Sequence, residues 1–524
     1  MDSSKIKAIF LGIIAAFAAI YLGIASATTQ VEAIAWMAAA LFVVSLLALD
    51  RHVWAIIPVA GAFSGGLTFI PGFPQPWYAA TPVVAVVMVM RFLMRSPMFQ
   101  FRWSWLDFVM LAQAAALWQS YLRNPTGLAL FGGDIYGGRP YFDYAVAIAS
   151  YFLLTVIRTD IKTLKKVIIV VIAANVFDDV VRAISGLSGT FARLVAQVYG
   201  NVEFEANFQG AAFQFDIMNT RFGGFAGLGL TLCLICYAFR RPMSCILPIP
   251  LWAFVANSLG LILILFSGFR SGLMRTGCFF IASSMIRKRP FDAVLAGLAA
   301  GLFVMIFGAI WGLSGLPMPI QRVLSFLPLE VSEEIRESAD ASADWRFEMW
   351  RIVLTSDKYI KNKMLGDGFG YSRAEHDAQM KAMEGTGYYA GDSIDMFIAK
   401  GSYHGWHVEA IRFTGVLGLV IGLILLFGFA KSAWKGMKHY RGTDYFGCVC
   451  FICIPIFIEP FFHLFIFGSY KSTFVELIAM AGIVRLIDNI RINELAHLTE
   501  SSNGSIVDTP STFRLPMQNP TRPI

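Results

Sequence analysis

Apolar residues in this chain recur in runs of about 20, long enough to cross a bilayer as helices. Candidate spans lie near 6–27, 31–49, 53–70, 78–95, 104–120, 141–157, 164–183, 223–239, 245–268, 271–286, 291–312, 406–430, 443–466 and 472–487. Helices satisfy their own backbone hydrogen bonds, so this pattern predicts an all-α polytopic membrane protein of about 12–14 transmembrane helices. The run after the two N-terminal lysines is followed at once by another and reads as a first span, not as a signal peptide. One long polar segment, 313–405, interrupts the series. It divides the chain into a first bundle part (1–312), the large loop (313–405), a second bundle part (406–490) and a polar tail (491–524) expected to be disordered.

Within the large loop, Trp345, Met349, Ile352 and Val353 recur at i, i+4, i+7 and i+8, which predicts an amphipathic helix over Ser342–Lys363 lying on the outer surface of the bundle. Gly366, Gly368 and Gly370 follow. Their spacing is not that of a dinucleotide-binding turn, and they are expected to turn the backbone back towards the membrane.

Charge orients the bundle. Arg51, Arg91, Arg95, Arg102, Arg158, Lys162, Lys165, Lys166, Arg240, Arg241, Arg287, Lys288, Arg289, Lys431, Lys435, Lys438 and Arg441 all fall on one set of connections. The opposite connections 28–30 and 71–77 carry no Lys or Arg. With basic loops retained in the cytoplasm, both termini are cytoplasmic and the loop 313–405 is extracytoplasmic.

Composition narrows the class. The 524 residues are 57% hydrophobic and 15% charged, against about 25% charged in a soluble domain. The net charge of +7 is accounted for by the basic loops and gives no reason to expect a nucleic-acid partner. The seven cysteines lie in or beside apolar runs, as buried thiols do, and none falls in the large loop. The outer segments hold no Asp-x-Asp pair, and Asp392 and Asp395 read as a solvated stretch, so neither a metal nor another cofactor is expected.

The topology brings Arg221, Arg270 and His404 to one membrane face, at the outer ends of three spans. Two guanidinium groups suit a bidentate hold on phosphate, and an imidazole suits proton transfer near neutral pH. Other polar positions have plainer roles. Glu409 either orients an imidazole or pairs with Arg412 three residues on; Asp178 and Asp179 can pair with Arg182; Glu459 and His463, four apart in an apolar run, are candidates for either a functional intramembrane pair or a structural one, the structural reading being the plainer.

Three stretches resemble the bacterial O-antigen ligase and O-antigen polymerase superfamily. Arg346, Trp350, Gly366, Gly368 and Gly370 are similar to that family's Arg/Trp helix and Gly-rich turn. His404, with Gly415 and Gly418 eleven and fourteen residues later, resembles its histidine motif, and Phe266-Ser267-Gly268-Phe269-Arg270-Ser271-Gly272 its Ser/Arg/Ser signature. The register selects His404 over His407; the family commonly has Asn after the histidine, where this chain has Gly405. The motif-bearing likeness spans roughly 215–430. It implies a metal-independent, inverting glycosyltransferase of the C-type membrane fold in the bacterial inner membrane. Its donor would be a glycan on undecaprenyl diphosphate and its acceptor the lipid A–core. Arg221 and Arg270 would clamp the diphosphate and His404 would be the general base, with Arg346, His407 and Glu409 in support. Tyr388, Tyr389, Tyr403 and Trp406 suit sugar stacking and, equally, an interfacial aromatic belt. A polymerase of the same superfamily shares this chemistry, and a lipid-linked glycan flippase is the reading from another class. The latter calls for polar residues along a path through the bilayer, whereas the polar positions here gather at its outer edge.

Overall fold

A computed structural model describes residues 50–68, 70, 74–127, 135–200, 223–248, 250–311, 315–325, 331–372 and 403–504. The spans expected at 6–27 and 31–49 lie outside the described residues, as do Arg221, Tyr388, Tyr389, Asp392 and Asp395.

The described residues are all-α apart from four two-residue strands. In chain order the helices are α1 (Ile56–Ala60), α2 (Pro76–Leu93), α3 (Trp105–Arg123), α4 (Gly138–Thr155), α5 (Ile161–Leu187), α6 (Gly189–Ala196), α7 (Gly223–Phe239) and α8 (Pro242–Ile246). Then come α9 (Leu251–Ser267), α10 (Arg270–Ile286), α11 (Pro290–Trp311), α12 (Met318–Leu324), α13 (Glu333–Thr355), α14 (Trp406–His439), α15 (Phe446–Phe461) and α16 (Thr473–Gly504). Strands β1 (Gly66–Leu67) and β3 (Tyr199–Gly200) pair antiparallel, as do β2 (Ile135–Tyr136) and β4 (Tyr371–Ser372). The second pair ties the entry to α4 to the end of the Gly-rich turn.

Most helix limits follow the apolar runs, and local chemistry explains the departures. The run 53–70 does not form one span: a 3₁₀ turn (Asp50–Ala55) leads into the five-residue α1, and β1 follows. The run 245–268 is broken between α8 and α9, where Pro248 and Pro250 remove backbone donors. The amphipathic helix covers Glu333–Thr355, starting earlier than Ser342 and ending before Lys363. The last helix continues to Gly504, past Arg491, where a polar tail is expected from composition. Helix α3 is sharply started by Ser104, whose hydroxyl accepts from Leu106 N while Asp107 accepts from Ser104 N at 2.7 Å. Replacing Ser104 by Ala is expected to cost about 1 kcal/mol, read as a lower melting temperature.

Among the described residues, three helices are long and apolar enough to cross a membrane: Pro76–Leu93, Trp406–His439 and the run Phe446–Ile466, in which α15 passes into a π-helical turn (Phe462–Ile466). Gly223–Phe239, Leu251–Ser267 and Pro290–Ile306 are shorter apolar helices. Large apolar side chains face outward on α2 (Val86, Val89, Met90, Phe92, Leu93) and α11 (Leu295, Leu298, Leu302, Met305, Ile306). A soluble protein rarely exposes so continuous an apolar surface, whereas a membrane-associated one does.

The core runs through α2–α5, α7, α9, α10 and α14–α16 and includes buried charge. Arg485 of α16 reaches Asp107 of α3 at 3.3 Å, and Tyr151 donates to the same carboxylate at 2.7 Å. Asp178 and Asp179 pair with Arg182 at 3.2 and 2.5 Å, as their spacing predicts. Glu459 and His463 also meet, at 3.0 Å, and Arg275 of α10 joins them at 2.7 Å. All seven cysteines are unpaired, six of them buried.

Candidate functional site

The site begins with the buried stripe of α13. Met349 and Val353 pack with Ile360, Tyr403 and Val408, so the helix is fastened against the segment that opens α14. The Trp350 indole N–H donates to the Tyr403 carbonyl at 2.7 Å. A Cβ built on Gly405 would come within 2.8 Å of that indole. The absence of a side chain at position 405 is therefore what lets Trp350 lie against the chain next to His404.

Arg346 stands one helical turn before Trp350 on the same face. It is half-buried, and its guanidinium lies close enough to His404 and to Arg270 for their charges to act on one another. Arg270 enters from the N-terminus of α10, where its Nε donates to the Arg322 carbonyl of α12 at 3.0 Å. Burial pushes the His404 imidazole below its ordinary pKa, and the nearby Arg346 cation pushes it further. Burial, then the charge of Arg270, likewise lowers that of Arg346. His404 itself is held at φ +48°, a left-handed backbone that non-glycine residues adopt at a cost and that clusters at functional sites. Its ring lies 5.5 Å from that of Phe467.

The Gly-rich turn and the histidine motif form one joint. Helix α14 is broken at Gly415, with φ +75° and ψ −177°. The turn at Gly366–Gly368 lies across this break. Asp367 N and Gly368 N donate to the Arg412 and Phe413 carbonyls at 2.9 and 3.0 Å; Val416 N and Leu417 N donate back to Lys363 and Met364 at 2.9 and 3.2 Å. Asp367 accepts from Lys361 N and Asn362 N, and its carboxylate pairs with Arg412 at 2.9 Å. From α3, Arg123 donates to the Leu365 and Gly366 carbonyls, both at 2.6 Å, and Asn124 to that of Asp367 at 3.0 Å. The glycines do turn the chain tightly, as expected, and they also replace the helical hydrogen bonds that the break removes.

Of the residues expected to form the site, Arg346 lies within charge range of both His404 and Arg270, while Arg221 lies outside the described residues. His407 packs edge-on against Trp350 at 4.7 Å between ring centres, on the flank of the site. Glu409 has neither expected role. It faces the core, accepting from Ser469 Oγ at 2.9 Å and Tyr470 N at 2.6 Å, and Arg412 goes to Asp367 instead. Tyr403 and Trp406 are also unavailable for sugar stacking, being 2% and 0% exposed. Arg123, Asn124 and Asp367 escaped the sequence reading. Asp367, between two glycines, was the one with a local signal, because Asx side chains commonly bind backbone N–H groups in turns.

No protein-family model matches the chain, and no curated protein is significantly similar to it.

Proposed function

We propose that this chain is a polytopic glycosyltransferase of the O-antigen ligase type, acting on the outer face of the bacterial inner membrane. It transfers a glycan from undecaprenyl diphosphate to a hydroxyl of the lipid A–core. The observation that supports this reading is that Arg346 and His404 of the large loop, fastened together where Trp350 bonds the Tyr403 carbonyl, share one electrostatic neighbourhood with Arg270 at the start of α10.

The chemistry asks for that set. The acceptor oxygen attacks the anomeric carbon, with inversion, and passes its proton to His404. The bond to the diphosphate breaks, and its electron pair leaves with the phosphate oxygen. Charge develops on that oxygen in the transition state, and fixed guanidinium groups stabilise it there. Arg270 and Arg221 are the clamp expected from their places at the outer ends of neighbouring apolar runs; Arg346 brings a further positive charge that disfavours the His404 imidazolium, as a neutral base requires.

The test uses purified full-length protein with lipid-linked donor and lipid A–core acceptor. The intact protein forms glycan-bearing core, and Arg270→Ala and Arg346→Ala each lower the rate by about 10²-fold, the usual loss for one oxyanion-stabilising donor. Chain growth on the lipid carrier alone would turn the assignment to polymerase. Passage of intact glycolipid across vesicles without transfer would overturn it in favour of transport.

A further inference from the structure

Alongside the cationic cluster, α13 presents a second surface to water. Phe347 is 65% exposed, although the neighbouring Met349 and Val353 are fully buried. Its ring meets Trp350 edge-on at 5.3 Å, and Trp350 in turn meets His407 at 4.7 Å. The three rings form a row from solvent to His407, and the middle one, Trp350, lies against Gly405, the residue after His404. On the exposed flank, Arg351 and Glu348 form a bidentate pair at 2.9 and 2.5 Å, with 68% and 43% of their side chains accessible. An exposed ion pair next to the phenyl group argues against this face lying in lipid, because charged heads need water.

We propose that Phe347, with the Glu348–Arg351 pair, is the platform that holds a pyranose ring of the acceptor glycan. This rests on the transferase reading. A pyranose has an apolar face of C–H groups and a rim of hydroxyls. The exposed phenyl matches the face, and the carboxylate and guanidinium match the rim as acceptor and donor. Trp350, the middle ring of the row, lies against the Tyr403 carbonyl and Gly405, the residues on either side of His404, and His404 is the base for the acceptor hydroxyl, which assigns the platform to the acceptor. Trp350, locked by its bond to the Tyr403 carbonyl, fixes the edge against which Phe347 rests.

Steady-state transfer by the full chain, with core oligosaccharide freed of lipid A as acceptor, tests this. Phe347→Ala raises the acceptor KM by about tenfold, the size of one aromatic contact, with kcat and donor KM within about twofold of the intact protein. Phe347→Tyr restores the acceptor KM, because the ring is restored. Phe347→Leu behaves like Ala, because an apolar side chain without a ring does not stack. Calorimetric titration of the same oligosaccharide into Phe347→Ala shows a matching loss of affinity. An unchanged acceptor KM in Phe347→Ala, or full rescue by Leu, overturns the platform. If transfer is present and depends on His404 while Phe347 is neutral, only this inference fails; if the intact protein transfers nothing, the transferase reading fails with it.

Discussion

His404→Ala lowers glycan transfer by about 10²- to 10⁴-fold, the contribution of a positioned general base. The pH dependence makes the assignment specific. Burial and the Arg346 charge both disfavour the imidazolium, so the folded-state pKa of His404 lies below its ordinary 6.5. The base is neutral and competent above that lowered pKa. Transfer is therefore flat through neutrality and falls only as the pH drops through a value below 6.5. Removing one of the two causes moves this limb in a defined direction: in Arg346→Gln the residual activity loses its acid side at higher pH, because the imidazolium is easier to form. A purely structural histidine would give no such displacement. Full activity in His404→Ala, or an acid limb that stays in place in Arg346→Gln, would remove the base from the mechanism.

Residue patterns disclosed the components of this site better than their assembly. Met349 and Val353 stand at a helical spacing, so a buried stripe on α13 was legible, although its limits shifted because Glu333–Ser342 carries no apolar period to mark the start. The positions of Arg270 and His404 at the ends of apolar runs predict a shared face. The approach of Arg346 to His404, however, depends on Trp350 finding the Tyr403 carbonyl, a bond between residues more than fifty apart. The same separation hid Glu409. Its charge suggested a partner at helical spacing, but its actual partners are Ser469 and the Tyr470 N–H, sixty residues downstream. Backbone joints are the least legible of all. The Gly-rich turn and the break at Gly415 recognise each other through main-chain N–H and C=O groups, which every residue carries. The sequence therefore shows two groups of glycines and no sign that they touch.

That joint has the most severe expected outcome. Gly415 combines φ +75° with an extended ψ of −177°, a region essentially confined to glycine, where another residue incurs about 1–3 kcal/mol of strain. An added Cβ would also collide with the Met364 carbonyl and come within 2.5 Å of Leu365 N. Main chain cannot swing aside as a side-chain tip can. Gly366 is in the mirror position, at φ +72°, with its Cβ placed 2.5 Å from Gly415 N. Gly415→Ala and Gly366→Ala should each destabilise the protein by about 3 kcal/mol or more once collision is added to strain. They should also abolish transfer in whatever fraction still folds, since the joint holds the first turns of α14, from Trp406 to Thr414, and hence His404 just before them. Gly301→Ala on α11 is the matched control. Its Cβ meets nothing within 4 Å, and alanine there improves helix propensity by up to about 1 kcal/mol. Thermal melting of the three variants in one detergent decides the matter. If Gly415→Ala melts with the intact protein, the break in α14 is not fixed by the turn that crosses it, and His404 has no rigid mount.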